Sequence, residues 1–301
     1  STQSRSSAAS DVYKRQVHIT HGMAEHAGRY AWFMQILKEA GYAVYAHDIR
    51  GHGYTYAYNS SKGHFCDKNG LDKILHDLDF SIDLIKKNHP NIPIYCFGHS
   101  LGSILLLRYA TSSYHRINGI ACWNSGIETN LLAIVGRIIL SIERKLRSPR
   151  SKSYFAWKLT FQTWAGKIKN RQTNFDWLSN DKNHVDRYIQ DKLCGCDVSL
   201  QSWLDVAEAV FYANQNLSMI PYNFPIFLLG GAQDPCTNYG KDMKKLAARL
   251  ERIGHYNCTH KTIESSRHET LNELNKEQNA QIFLDLSLIH ISEPTRRYAI
   301  S

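Results

Sequence analysis

One serine of the chain lies in a motif that can make a nucleophile. Gly98-His99-Ser100-Leu101-Gly102 directly follows a short apolar run, Ile92–Phe97, and directly precedes an amphipathic stretch. A serine on such a strand-to-helix turn presents its hydroxyl above the sheet, and bulky side chains in place of the two glycines would clash. The pentapeptide alone is also compatible with an ordinary glycine-rich turn. Its placement between a strand and a helix is what favours Ser100 as a nucleophile.

A serine hydroxyl is a weak nucleophile near neutral pH and needs a base that a third group holds in place. Asp234 follows the apolar run Phe224–Leu229, and His268 follows the run Cys258–Ile263. If these runs are parallel strands, their carboxyl ends bring both side chains to the edge of the sheet that carries Ser100. Asp234 alone is also compatible with a carboxylate that serves a turn, and His268 is one of 15 histidines. Their positions and the order Ser, Asp, His favour a catalytic triad.

The negative charge that develops on a substrate carbonyl oxygen needs backbone N–H donors. Leu101 follows the serine at the start of a predicted helix, and His21-Gly22-Met23 ends the first apolar run and opens a loop. We expect the amides of Met23 and Leu101 to form this oxyanion hole. A plain turn at His21-Gly22 is the alternative.

These groups must be positioned by the elements around them. Short β-rich runs alternate with longer amphipathic stretches, which is the pattern of a mostly parallel sheet with helices on both faces. The predicted strands are Val17–Thr20, Tyr42–His47, Ile92–Phe97, Ile117–Trp123, Phe224–Leu229 and Cys258–Ile263. The predicted helices, with apolar residues at three- and four-residue intervals, are Arg29–Ala40, Leu71–His89, Leu101–Thr111, Lys241–Ile253 and Leu271–Leu284.

The middle of the chain breaks this alternation. Residues 127–223 contain no strand-like run, and their amphipathic pieces are Leu131–Leu146, Tyr154–Trp164 and Trp203–Asn214. We therefore predict one α/β domain, made of residues 17–126 and 224–285, with residues 127–223 inserted as a helical cap. The apolar residues of the first cap piece predict either the lining of an acyl channel or a packed core helix: Leu131, Leu132, Ile134, Val135, Ile138 and Ile139.

The two ends of the chain are expected to be non-native. Back-translation of residues 11–16 and of residues 286–291 gives two DNA segments that are reverse complements of each other. Two natural ends would not be inverted repeats of one DNA segment, and both resemble translated adapters from a sequencing library. We expect residues 1–16 and 286–301 to be adapter-like tails that carry no information on the fold.

The formal net charge is +9, and its distribution is uneven. Residues 137–171 hold ten basic side chains and one acidic side chain, so this segment carries as much net charge as the whole chain. A solvated basic face is one interpretation, and peripheral contact with an anionic membrane is another. No base-reading module accompanies the charges, so a nucleic-acid partner is not expected.

No apolar run approaches the roughly 20 residues of a membrane span, and the longest, Leu131–Ile142, contains Arg137. Seven scattered cysteines in a chain of 301 residues favour reduced thiols and a cytoplasmic protein. The close pair Cys194 and Cys196 lacks a second pair to complete a zinc site. We therefore expect no metal and no other cofactor.

Taken together, the motifs resemble one known family. His21–His26 with Arg29-Tyr30, then Asp48–Gly53, then Gly98–Gly102, resemble the monoglyceride lipase and lysophospholipase-like branch of the α/β-hydrolases, also called serine aminopeptidase-like hydrolases. The chain order Ser, Asp, His is that of the α/β-hydrolases. Further segments resemble the bacterial members: Asp176–Ser179, Val185–Tyr188, Leu193–Gly195, Asn238–Lys241, Arg267–Glu269 and Leu271–Glu273.

The resemblance implies an α/β-hydrolase fold and a cofactor-independent hydrolase of carboxylic esters, which forms an acyl-enzyme beneath a mobile helical cap. It makes Ser100 the nucleophile, His268 the general base and then acid, and Asp234 the orienting carboxylate. Relatives begin with antiparallel edge strands before the equivalent of Val17, so an uncovered sheet edge is expected. Structural roles in loops are implied for Glu25, His26, Asp48, Arg50 and His52.

The chain departs from the family pattern at a few positions. Ser103 stands where relatives often have a second glycine, and Thr55 where a serine often follows the turn. Cys236-Thr237 replaces the valine and glycine of many bacterial members. None of these changes removes a catalytic group, and Ser103 is expected to alter the packing beneath the nucleophile.

Monoacylglycerol or lysophospholipid is the expected substrate, followed by short soluble esters. A serine peptidase of the aminopeptidase-like kind would need an acidic pocket for a free amine, and the basic cap argues against it. A non-catalytic binding protein on the same fold is a third hypothesis, against which the complete set of Ser100, Asp234 and His268 argues. Dehalogenase chemistry would replace the serine with aspartate.

Overall fold

The computed structural model describes residue 13 and residues 15–292, with side chains as far as residue 285. Residues 1–12, 14 and 293–301, which belong to the two tails predicted to be adapter-like, lie outside the described residues. Of the other tail residues, Arg15 and Gln16 begin the first strand, and the backbone of residues 286–292 continues the last helix.

Six parallel strands form one sheet, in the order β2-β1-β3-β4-β5-β6. Each predicted strand is present, with its ends shifted by two residues or fewer. β3 and β5 begin directly after Pro93 and Pro225, because proline lacks the N–H that ladder pairing needs. The strands are β1 Arg15–Thr20, β2 Tyr42–His47, β3 Ile94–His99, β4 Gly119–Trp123, β5 Ile226–Gly231 and β6 Cys258–Ile263.

Helices cover both faces of this sheet. The longer helices that flank the strands are α1 Ala31–Glu39, α2 Gly70–Asn88, α3 Leu101–Ser113, α8 Leu200–Gln215, α9 Lys241–Arg252 and α10 Lys276–Ser292. The helices between β4 and α8 are α4 Leu131–Leu146, α5 Tyr154–Trp157, α6 Thr163–Gly166 and α7 Lys182–Gln190, and a π-helical turn, Lys158–Gln162, joins α5 to α6.

Consecutive residues of the central strands face opposite helical layers, as the pleat of a strand requires. Cys96 of β3 and Leu228 of β5 pack with residues of α2, α3, α8 and α9. Their neighbours Phe97 and Leu229 pack with residues of α1 and α10. The two apolar layers confirm the predicted fold class, a mostly parallel α/β sheet with helices on both faces.

The segment between β4 and β5 is helical throughout its regular structure, as predicted, and includes one helix that the sequence analysis missed. α7 has few apolar residues, so its periodicity is weak, but Asp181 precedes it as a side-chain N-cap. The Asp181 carboxylate accepts hydrogen bonds from the amides of Asn183 and His184. An aspartate before a polar stretch is the signal that predicts this helix start.

α8, which the prediction places at the end of the cap, packs on the core as well as on the other cap helices. Val206, Ala209 and Ala213 of α8 are buried in the same apolar layer as α2 and α3. The sequence analysis assigned this helix to the cap because no strand separates it from the preceding helices. We call the helices α4 to α7, which precede α8, the cap.

In the described part of the chain, no helix is both long enough and apolar enough to cross a membrane.

Candidate active site

Ser100 lies on the tight turn between β3 and α3, with backbone angles of φ 51° and ψ −114°. Positive φ is strained for a side-chain-bearing residue and persists only where the surroundings enforce it. A Cβ on Gly98 would lie 2.6 Å from the Gly102 carbonyl carbon, and one on Gly102 would lie 2.0 Å from the Thr20 oxygen. Both glycines are therefore required for the turn to approach β1 and α3 so closely.

Ser103 ties this turn to the neighbouring strand. Its hydroxyl donates to the Gly98 carbonyl at 2.6 Å and lies 3.0 Å from the Trp123 carbonyl at the end of β4. The Ser100 amide donates to the same Trp123 oxygen at 2.9 Å. The serine that departs from the family pattern thus adds polar contacts beneath the nucleophile, where a glycine has no side chain to make them.

Asp234 and His268 meet at the carboxyl edge of the sheet, as their positions after β5 and β6 predict. The Nδ1 of His268 lies 2.9 Å from Oδ2 of Asp234, and both side chains are buried. The Thr237 hydroxyl and the Cys236 amide donate to the same carboxylate at 2.9 and 2.8 Å. Because Nδ1 is held by the carboxylate, Nε2 is the nitrogen left to exchange a proton with a nucleophile.

Burial alone would raise the pKa of the Asp234 carboxyl. The charge of His268 and the hydrogen bonds from His268, Cys236 and Thr237 outweigh this effect and hold that pKa below its usual range. The carboxylate is therefore ionised near neutral pH and can stabilise an imidazolium at His268.

Two residues that the sequence analysis did not identify complete the surroundings of this pair. Asn124 directly follows β4, and its side-chain amide lies 3.3 Å from Oδ2 of Asp234. The Trp177 ring, contributed by the cap, lies 4.8 Å from the His268 ring between centroids. The position of Asn124 at the end of a predicted strand is a signal that could have identified it, whereas nothing in the sequence places Trp177 there.

Ser100 and His268 line the same cavity. The hydrogen bonds of the described residues do not include one between the Ser100 hydroxyl and His268. In ligand-free enzymes this contact is often long and shortens when substrate is bound. The structure thus brings all three predicted triad residues to one site and hydrogen-bonds two of them.

The two expected oxyanion donors also border this cavity. Leu101 is the first residue of α3, so its N–H has no intrahelical acceptor. The Met23 loop is held by His21, whose Nε2 accepts from the Ile49 amide at 2.9 Å while Nδ1 donates to the Gly22 carbonyl at 2.7 Å. Burial lowers the pKa of His21 to about 4, so it is neutral and can accept at Nε2.

A buried cluster of charges links this loop to the residue after His268. The Arg29 guanidinium lies 2.5 Å from Glu25 and 2.6 Å from Glu269, and both carboxylates are almost fully buried. Glu25 also accepts from the Gly22 amide at 2.5 Å, and Glu269 lies 3.1 Å from His184 of α7. The sequence analysis gave Glu25 a structural role but assigned none to Glu269, although the position of Glu269 beside His268 is a usable signal.

The remaining loop residues hold the chain and do not border the cavity. Asp48 accepts from the amides of Ala27 and Tyr54, each at 2.9 Å. Arg50 forms a two-pronged ion pair with Asp77, with both contacts at 2.7 Å. His52 is buried beneath the same loop. These positions agree with the structural roles that the resemblance implies.

The cavity has a volume of about 1050 Å³ and lies between the sheet edge and the cap. Its apolar walls come mainly from aromatic and aliphatic residues on the cap and α8: Trp157, Leu159, Phe161, Trp164, Val198, Trp203 and Val206. The expectation that α4 lines an acyl channel or packs as a core helix is wrong for most of its apolar face. Of the six residues proposed for it, only Leu132 borders the cavity, and the others are exposed or half-buried.

Among the described residues, two clusters combine side chains of the types that bind metals. One is formed by Asp234, Cys236 and His268, and the other by His26, Asp191 and Cys194. The first uses two residues of the triad, whose ligand atoms are already joined by a hydrogen bond. None of the three residues of the second cluster borders the cavity.

Comparison with known proteins agrees with this geometry. The family model described as serine aminopeptidase, S33, matches residues 12–275. The monoglyceride lipase of Rattus norvegicus is 24% identical over 277 residues, which cover 87% of this chain and 81% of that protein. The monoacylglycerol lipase of Mycolicibacterium smegmatis is 36% identical over 93 residues, 31% of each chain.

Among solved structures, a thermostable carboxyl esterase from Bacillus coagulans superposes with a TM-score of 0.82 at 23% identity, covering 92% of this chain and 89% of that one. This likeness shows the fold. The family model spans most of the chain and confirms the resemblance drawn from its motifs. The chain therefore belongs to the serine aminopeptidase S33 family of the α/β-hydrolases.

Proposed function

We propose that the protein hydrolyses the carboxylic ester of monoacylglycerols or lysophospholipids through an acyl-enzyme on Ser100. The observation that carries this proposal is the buried His268–Asp234 pair, which borders one apolar cavity together with a serine held in a strained turn. The names of the relatives, monoglyceride lipase and monoacylglycerol lipase, support the substrate class.

In the proposed reaction, Ser100 Oγ attacks the ester carbonyl carbon while His268 Nε2 takes the hydroxyl proton. The Met23 and Leu101 amides stabilise the oxyanion, and Asp234 stabilises the imidazolium through Nδ1. The tetrahedral intermediate collapses, and His268 gives the proton to the departing alcohol. Water, deprotonated by the same imidazole, then attacks the acyl carbon, and the imidazolium returns that proton to Ser100 Oγ as the bond to the fatty acid breaks.

The cavity supports a substrate with a long acyl chain. Its volume of about 1050 Å³ is slightly above the ~300–1000 Å³ range of small-molecule pockets. An acyl chain would contact side chains such as Trp157, Phe161 and Val206 and lose its exposure to water. Hydrolysis should therefore be faster for esters of long acyl chains than for acetate esters, which cannot bury that apolar surface.

We further propose that the protein contacts lipid surfaces through the cap. The outward face of α4 is apolar and exposed, with exposed fractions of 75% at Leu131 and 79% at Leu146. Several basic residues of the segment are already paired, since Arg147 contacts Glu143 and Arg150 contacts Asp67. We therefore expect the apolar face of α4 to contribute most of the binding free energy. The attraction between the other basic residues and anionic lipid contributes less.

The proposed nucleophile is tested by labelling with a fluorophosphonate and mapping the modified residue by mass spectrometry. We expect labelling at Ser100 that disappears on heating and in Ser100→Ala. Ser125→Ala is a matched control, because Ser125 borders the same cavity and its buried hydroxyl has no hydrogen-bond partner in the structure. Full esterase activity in Ser100→Ala, or labelling at Ser125, would refute the assignment.

A further inference from the structure

His26, Asp191 and Cys194 form a compact cluster at the joint between the core and the cap. His26 lies in the loop between β1 and α1, Asp191 follows the last residue of α7, and Cys194 lies in the loop after it. The Nε2 of His26 is 2.8 Å from Oδ2 of Asp191. One ligand atom from each of the three residues lies within 4.8 Å of the other two.

The donor set selects the kind of ion that fits. One imidazole nitrogen, one carboxylate oxygen and one sulfur are the ligands that zinc(II) takes, at about 2.0–2.3 Å each. Tetrahedral angles at those lengths place ligand atoms about 3.3–3.8 Å apart, so the cluster needs shifts on the order of an ångström to close around an ion. Magnesium and calcium prefer oxygen ligands alone, and the imidazole and thiol disfavour them.

The side chains of the cluster are partly buried but remain accessible to solvent. The His26 side chain is 14% exposed and that of Asp191 33% exposed, and Cys194 is a free, partly buried thiol. An ion can therefore enter from solvent, and a water molecule can occupy the fourth position. Three protein ligands and one water are a common arrangement for zinc.

The charges also balance when zinc is bound. The carboxylate of Asp191 and a thiolate at Cys194 together neutralise a divalent ion. Burial raises the pKa of the Cys194 thiol, so the ion must displace a proton as it binds. The positive charge of the nearby Arg29 guanidinium is offset by the two carboxylates with which it pairs, Glu25 and Glu269.

The same joint is already held by hydrogen bonds. The Ala24 carbonyl accepts from the Gly195 amide at 2.8 Å and from the Tyr188 hydroxyl at 2.9 Å. Ala24 is adjacent to Met23, so the residues around the cluster connect the end of α7 to the expected oxyanion loop. A ligand that bridges His26 and Cys194 would strengthen an existing contact between the two segments.

We propose that His26, Asp191 and Cys194 bind zinc(II) and that the ion fastens the cap to the loop after β1. The site lies outside the catalytic triad, and the proposal does not depend on ester hydrolysis. It also changes the expectation drawn from the Cys194 and Cys196 pair. The structure places a histidine and an aspartate beside Cys194, whereas Cys196 is not part of this cluster.

The test is a titration of the chelator-treated full chain with zinc(II) alone and with cobalt(II) alone. Equilibrium dialysis gives the zinc stoichiometry and affinity, and absorption of the cobalt form shows whether a thiolate is a ligand. We expect one tight ion per chain and a thiolate-to-cobalt band. Cys194→Ser should remove the band and weaken zinc binding by about 100-fold, the upper end of the loss seen for partners that only orient a ligand.

Two cysteine variants serve as matched controls. Cys196→Ser changes a thiol two positions away, and Cys236→Ser changes the cluster that includes His268. Both should keep the band and the affinity. If Cys194→Ser does not fold, His26→Gln provides the same test, with a loss of zinc affinity and an unchanged circular dichroism spectrum expected. No tight zinc binding, or binding abolished by Cys236→Ser but kept in Cys194→Ser, would overturn the proposal.

Discussion

Removing the charge of Arg29 while keeping most of its length isolates the contribution of the buried charge cluster. In Arg29→Met, Glu25 and Glu269 keep neighbouring histidines at 3.2 and 3.1 Å but lose their one permanently charged partner. Both carboxylates are almost fully buried. Breaking a buried ion pair in this way costs about 3–5 kcal/mol at pH 7. That loss is a large part of the 5–15 kcal/mol that typically separates folded from unfolded chains.

The stabilities of Arg29→Met and of the wild type should change in opposite directions as the pH falls. In the wild type, burial raises the pKa of Glu25 and of Glu269, but the Arg29 charge and the hydrogen bonds outweigh burial and hold both values below the ordinary range. Carboxyl groups with a lowered pKa stabilise the fold above their unfolded pKa of about 4.3, and this stability is lost as the pH falls through the folded values. In Arg29→Met we expect raised values instead, so the variant gains stability as the pH falls towards about 4.3.

The assay is thermal and urea unfolding of both proteins at pH 7 and pH 5. At about 2 °C per kcal/mol for a chain of this size, the expected fall in Tm at pH 7 is roughly 6–10 °C, and the gap should narrow at pH 5. Arg50→Met is the matched control, because the Arg50–Asp77 pair is also two-pronged but about a third exposed, and exposed pairs contribute about 0–1 kcal/mol. The reasoning is refuted if Arg29→Met costs no more than Arg50→Met, or if the gap widens at pH 5.

Three further changes test the site and the cap. Gly102→Ala places a Cβ 2.0 Å from the Thr20 oxygen and should lower the free energy of unfolding, measured in urea, by about 3 kcal/mol. Gly166→Ala is the control and should not lower it, because a Cβ there meets nothing within 4 Å. Asp234→Asn should lower kcat by about 10⁴-fold through the wrong imidazole tautomer with KM little changed, and a loss of less than tenfold would contradict the assigned role. The double variant Leu131→Gln with Leu146→Gln should weaken binding to lipid vesicles about tenfold or more. Leu274→Gln is the control, because Leu274 is 74% exposed on the core, and it should not weaken binding. Equal effects of the two changes would refute the contact through α4.

Local patterns predicted most of the fold and the meeting of the three candidate triad residues at one edge of the sheet. A parallel strand carries its own signal in a short apolar run, and the side chains that follow such runs meet at one sheet edge, which is why Ser100, Asp234 and His268 were identifiable. The prediction started β3 at Ile92, two residues too early, although Pro93 marks the observed start because proline removes a ladder donor.

Features that depend on packing between distant segments were not predictable in this way. α8 has the amphipathic pattern of the cap helices, and only the structure shows that it also packs against α2 and α3. The apolar residues of α4 read equally well as buried or as exposed, because periodicity gives the face of a helix and not what covers it. Trp177 and His268 are in contact although they are 91 residues apart in the sequence, and no local sequence pattern predicts such a contact.

The segment around Trp177 constrains how the cavity can open. The His268 and Glu269 amides donate to the Trp177 and Leu178 carbonyls at 3.4 and 2.7 Å, so this stretch is bonded to the chain that carries the base. It cannot swing away without displacing the imidazole. We therefore expect substrate to enter past the other half of the cap, α4 to α6, while the segment around Trp177 stays in place. Cross-linking α4–α6 to the core should slow substrate entry, whereas cross-linking the segment around Trp177 to the core should leave the rate of entry unchanged.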